Sequence, residues 1–189
     1  MAKNGLEIKA VIYLKSVLGT RRGRDATVAH KKYQDVLKEF NSNILDQAIK
    51  EASENPESGI AIARQCSRFV LEAIPDLAQD PARANSLRQY EALEQFLALV
   101  RQPDQYLAQM QKQFGPRLDA RQYGGGDPFN TIIKSQRQRL YVEGQGFNTQ
   151  EEKNFCRKRS ELLAVVEKAY NRLRDQALGL AGHDNQKAK

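Results

Sequence analysis

The residue types that do covalent or metal chemistry are scarce in this chain of 189 residues: two histidines, His30 and His183, and two cysteines, Cys66 and Cys156. His183 falls in the polar C-terminal run AGHDNQKAK, so one chain cannot assemble a histidine-rich metal site. A di-iron helical bundle needs Glu-x-x-His pairs, but Thr27 and Leu180 stand three residues before the histidines. The cysteines lack any C-x-x-C spacing and read as small buried thiols. A Ser or Cys nucleophile would have to use His30, which lies among lysines and reads as a surface residue. Glu91 with Glu94 has the spacing of a solvated helix face, and Glu151 with Glu152 that of a helix start, where the dipole favours acids. No Walker loop, dinucleotide fingerprint, nucleophile elbow or HExxH motif occurs. The expectation is a protein that is not an enzyme and uses no cofactor and no metal.

Basic residues are where the sequence is distinctive. The net charge is +7 and unevenly spread: residues 1–38 carry +6, residues 39–120 carry -4 and residues 121–189 carry +5. The stretch LGTRRGRDATVAHKK holds Arg21, Arg22 and Arg24 before the expected start of a helix, followed by Lys31 and Lys32. Unpaired N–H groups already make a helix start positive, so arginines there suit an arriving phosphate. The other reading is a glycine-flanked loop with solvated arginines, partly compensated by Asp25. In TIIKSQRQRLYVEGQGF, a turn of about 100° per residue puts Lys134, Arg137 and Tyr141 together beside the apolar Ile133 and Leu140, with Arg139 pointing nearly opposite. A tyrosine flanked by cations suits base stacking; it also suits the edge of a core with snorkelling basic neighbours. In KNFCRKR, Lys153 and Arg157, and further on Lys168, share the face opposite Phe155, Leu162, Val166 and Leu173. Lys158 joins this basic run. Arg159 falls inside the apolar stripe, where a charge needs an ion pair or an interface.

The elements that position these groups are helices. Leu6, Ala10, Val11, Leu14, Val17 and Leu18 keep helical spacing up to Gly19. Asp25 caps a long second helix that runs to Asn55-Pro56, and a third ends at Pro75. Asp80-Pro81 and Asp127-Pro128 each place a cap before a proline at the first helical position, and Pro103 starts another segment. Glu143-Gly-Gln-Gly146 reads as a break, and Thr149-Gln-Glu-Glu152 as a capping box opening a last helix that ends near Gly179. Neither strand alternation nor a repeat is visible. The expected fold is an all-α bundle of about six or seven helices. Its expected parts are a helical body over 1–114, a linker over 115–127, a helical pair over 128–180 and a disordered tail over 181–189.

With 40% hydrophobic and 28% charged residues the chain can bury a core, and it contains no uncharged apolar run of membrane length. No signal peptide is visible, and a cytoplasmic location without membrane contact is expected. Basic ends on a helical body, without a recognition helix-turn-helix, point to nucleic-acid backbone rather than base reading. In size, helicity and basic stretches such as TRRGR and KSQRQR, the chain resembles the helical small subunits of CRISPR effector complexes over roughly residues 6–178. That resemblance implies a non-catalytic subunit of a ribonucleoprotein, packed beside other subunits and further copies of itself along guide–target duplex or displaced strand, RNA or DNA. The alternative is a helical scaffold module whose basic faces meet acidic proteins.

Overall fold

The computed structural model describes residues 5–21, 26–73, 81–115 and 127–179. Apart from short connections, all of them are helical, and the bundle is all-α among the described residues. Helix α1 spans Gly5–Arg21 and buries Leu6, Ala10, Leu14 and Val17, one apolar position per turn. It continues past Gly19, where the sequence suggested a stop, because one helical glycine costs only about 1 kcal/mol. The long second helix is α2 (Ala26–Phe40), a π-helical stretch (Asn41–Leu45) and α3 (Asp46–Glu51) in unbroken succession. Tyr33, Leu37, Phe40, Ile44, Leu45 and Ala48 form its buried face.

Proline sets the remaining starts. Helices α4 (Pro56–Ala73), α5 (Pro81–Val100), α6 (Pro103–Phe114) and α7 (Pro128–Gln145) all begin on one, where a missing N–H costs nothing and φ is already helical. Asn55 caps α4, its Oδ1 accepting from Ser58 N–H at 3.4 Å, and Asp127 caps α7, accepting from Phe129 N–H at 2.9 Å. Gly115 ends α6 at φ 92°, donating its N–H to the Gln111 carbonyl at 2.9 Å. Helix α7 runs through Gly144 and ends at Gln145 with Gly146 as its cap, within the Glu143–Gly146 stretch that the sequence marks as a break. Helix α8 (Gln150–Ala177) opens on Thr149, whose hydroxyl accepts from Glu152 N–H at 3.3 Å and donates back to the Glu152 carboxylate at 2.9 Å.

Helix α8 is the axis of the bundle and packs against α2 through α7. Its Phe155 meets Phe40 and Phe69 edge-on at 5.9 and 6.3 Å between ring centres, and its Tyr170 stacks on Phe129 at 3.8 Å. Backbone approaches closely at Gly59 of α4, where a Cβ would lie 2.8 Å from Val166 Cγ2. At the far end, Tyr170 donates to Asp127 at 3.1 Å, shares a 3.0 Å bond with Tyr106, and Arg174 reaches Asp127 at 3.3 Å. These bonds satisfy a buried carboxylate and join α6, α7 and α8 at one point.

Candidate nucleic-acid interface

The basic residues of α7 and α8 separate into those spent inside the bundle and those left facing out. Antiparallel packing of the two helices puts Gly144 against Cys156, with 3.4 Å between the position of a Cβ on Gly144 and Cys156 Cβ. Further along the seam, Arg137 Nε donates to Ser160 Oγ at 3.3 Å and Arg137 lies 3.9 Å from Glu167. On the outer crest of α7, Lys134 and Tyr141 are exposed, Tyr141 by 64%, so this tyrosine is a surface ring and not the edge of the core. On α8, Lys153, Arg157 and Lys168 are exposed, roughly one and three turns apart along one face. Arg157 pairs with Glu161 at 3.4 Å in an i,i+4 bridge.

Lys31 and Lys32 are exposed on the first turns of α2. Their neighbour Tyr33 donates to the Glu152 carboxylate at 3.2 Å, which ties this end of α2 to the first turn of α8, where Lys153 stands. One hydrogen bond thus joins two basic stretches that are far apart in sequence. Arg22 and Arg24 lie outside the described residues, and so does the side chain of Arg21.

Lys158 does not belong to this outward set. Its Nζ donates to Asp46 at 2.8 Å and to the Asn41 carbonyl at 3.2 Å, and its side chain is 14% exposed. The cause is the π-helical stretch, where Asn41 also donates to the Glu151 carbonyl at 3.0 Å, so α8 is latched onto this turn from both sides. Sequence periodicity gives no sign of a π turn, because its residues keep helical spacing on either side.

Arg159 is 2% exposed and structural. Its Nη1 lies 3.1 Å from the Glu143 carboxylate, its Nη2 donates to Ser67 at 3.0 Å, and its guanidinium sits 4.8 Å from the centre of the Phe155 ring. Of the two roles open to it, it takes the ion pair. Burial pushes the thiols of Cys66 and Cys156 up to about 12, although the nearby Arg159 cation pulls the other way, so both stay protonated at neutral pH. Among the described residues no group of three or more His, Cys, Asp or Glu side chains could hold a metal ion, and no helix is long and apolar enough to cross a membrane.

The outward face is what the arrangement offers chemically. It presents Lys134, Arg137 and the exposed Tyr141 ring from α7 and Lys153, Arg157 and Lys168 from α8, with two carboxylates, Glu161 and Glu167, in contact with two of the cations. The solvated Arg157–Glu161 pair holds together by less than about 1 kcal/mol, so a phosphate oxygen can displace that carboxylate at little cost. No family model matches this chain, and no curated protein or solved structure matches it either.

Proposed function

We propose that this protein binds the sugar–phosphate backbone of nucleic acid, without sequence preference and without catalysis, through the shared outer face of α7 and α8. The observation that carries the reading is that Lys134, Arg137 and Tyr141 on α7 and Lys153, Arg157 and Lys168 on α8 reach solvent from two helices packed side by side. Lysines and arginines position a strand through its phosphates, while the tyrosine offers a stacking surface that every base can use. Lys31 and Lys32 extend the footprint past the start of α8, and Arg21, Arg22 and Arg24 stand close before them in the sequence. The setting we propose is a ribonucleoprotein of the guide-dependent kind, in which this chain is a helical small subunit beside companion subunits.

A helical scaffold for acidic partners is the second reading, and one observation favours it. Ile8 and Ile12, one turn apart on α1, are 48% and 62% exposed. The test is binding of labelled single-stranded and duplex DNA and RNA across a salt series. The native chain is compared with K153Q/R157Q/K168Q and with Lys158→Met as the internal control. Expected is log affinity falling linearly with log salt, and a triple variant whose slope on duplex DNA is shallower by about 0.9 for each phosphate it no longer neutralises. Lys158→Met should leave the slope unchanged. No binding at low salt, or a triple variant that binds as the native chain does, refutes the reading and moves the scaffold into its place.

A further inference from the structure

A cleft of about 600 Å³ opens between α1 and the π-helical stretch with the α3 that follows it. That is within the range of roughly 300–1,000 Å³ usual for small-molecule sites. One wall is Lys9 and Tyr13, one turn apart on α1; the other is built by Ser42 and Asn43 of the π-helical stretch and by Gln47 and Lys50 of α3. A single π turn inside a longer helix is rare and is frequently found at functional sites. Here it keeps Ile44 and Leu45 both fully buried while Ser42 and Asn43 stay exposed. Its Asn41 is taken up by α8, whereas Ser42 and Asn43 are left to the cleft.

The charges on this lining do not balance. Asp46 is the carboxylate among its described residues, and it is already spent, accepting from Lys158 at 2.8 Å. Lys9 and Lys50 are exposed, and among the described residues neither makes a hydrogen bond or an ion pair. Glu51, next to Lys50 in the chain, accepts from Gln47 Nε2 at 2.8 Å instead. Hydrogen-bonding capacity is left over as well. Asn43 donates to the Tyr13 hydroxyl at 3.5 Å, so the phenol keeps its own proton to donate. Asn43 and Gln47 both spend an amide N–H, which leaves their side-chain carbonyls as acceptors.

We propose that the cleft beside the π turn binds a phosphate monoester on a small hydroxylated body, the chemistry of a sugar phosphate. Lys9 and Lys50 come from opposite walls, and two compact ammonium charges suit a dianion. A monocarboxylate leaves one of them unanswered, and a cation meets both with the lining carboxylate already paired. Tyr13 donates to a phosphate oxygen, while the Asn43 and Gln47 carbonyls and the Ser42 hydroxyl accept from the hydroxyls of the body. The site is independent of the nucleic-acid face, since none of the outward basic residues of that face lines it.

The experiment titrates the full chain with ribose 5-phosphate and, separately, with ribose and with inorganic phosphate, read by calorimetry and by amide chemical shifts. Expected is saturable binding of the sugar phosphate that shifts amides of α1 around Lys9 and Tyr13 and of the π-helical stretch and α3, with ribose and inorganic phosphate each weaker by about tenfold or more. Lys9→Gln and Lys50→Gln should each weaken the sugar phosphate by about tenfold, the loss of one charge-assisted contact. Lys38→Gln removes an exposed lysine that does not line the cleft and should change nothing. All three sites are exposed, so the native thermal transition should persist in each variant. Inorganic phosphate binding as tightly as the sugar phosphate, binding untouched by Lys9→Gln or by Lys50→Gln, an equal loss from Lys38→Gln, or no binding at millimolar probe each overturns the proposal.

Discussion

The buried pair of Arg159 and Glu143 allows a sharp test of how this bundle is held together. The two partners are not equivalent: Arg159 is 2% exposed, whereas the Glu143 side chain is 15% exposed. Replacing Glu143 by Gln leaves an enclosed guanidinium without its counter-anion. Removing one partner of a buried pair costs about 3–5 kcal/mol, and nothing here relieves it. Replacing Arg159 by Met keeps most of the volume and leaves a carboxylate that can turn toward water, so we expect about 2–3 kcal/mol. In a chain this long 1 kcal/mol moves Tm by about 2–4 °C, which puts Glu143→Gln roughly 6–20 °C below the native protein. The double variant R159M/E143Q has no buried charge left at this position and should recover, giving a coupling energy above about 2 kcal/mol. Because the chain contains no tryptophan, urea unfolding is best followed by far-ultraviolet circular dichroism. Additive single costs, or an Arg159→Met loss larger than that of Glu143→Gln, would refute the reasoning.

Three further outcomes are expected. Burial raises the pKa of Asp127 in the folded protein, against the opposing bonds from Phe129, Tyr170 and Arg174. Its favourable contribution is therefore complete below the unfolded value of about 3.9 and is lost as pH rises through the folded value. Asp127→Asn keeps an acceptor for the cap and never ionises, so the native chain should lose stability relative to this variant as pH is raised from acid to neutral; urea unfolding across that range checks it, and a pH-independent difference speaks against it. Gly59→Ala should cost about 1–3 kcal/mol, since its Cβ would lie 2.8 Å from Val166 Cγ2, and Val166→Ala in the same chain should return part of the loss in thermal unfolding. Cys66 and Cys156, both pushed up to about 12 and buried, should resist Ellman's reagent at pH 8 in the native state and react together in urea; fast native labelling of either would show that its surroundings open.

Local chemistry made much of the fold legible. Four helix starts sit on prolines, at Pro56, Pro81, Pro103 and Pro128, and the Asp127 and Thr149 caps are made by the side chains the sequence offers. Apolar spacing picked out the buried faces of α1, α2 and α8, because a helix repeats every 3.6 residues wherever it lies. Even the unusual position of Arg159 was visible, since a charge inside an apolar stripe stands out without any knowledge of its partner.

What the sequence could not supply was which side chains meet. Lys153, Arg157 and Lys158 are alike in a run of basic residues, yet two face water and the third is bound to Asp46 and Asn41. The partners are 112 and 117 residues away in the chain, and the π turn that presents them has no pattern of its own. Arg159 chose Glu143 and Ser67 for the same reason: pairing across a bundle depends on how helices dock, a property of summed side-chain shapes over several elements. Periodicity therefore determined the helices and their inward faces, while tertiary packing decided which charges are spent inside the protein and which remain for a partner.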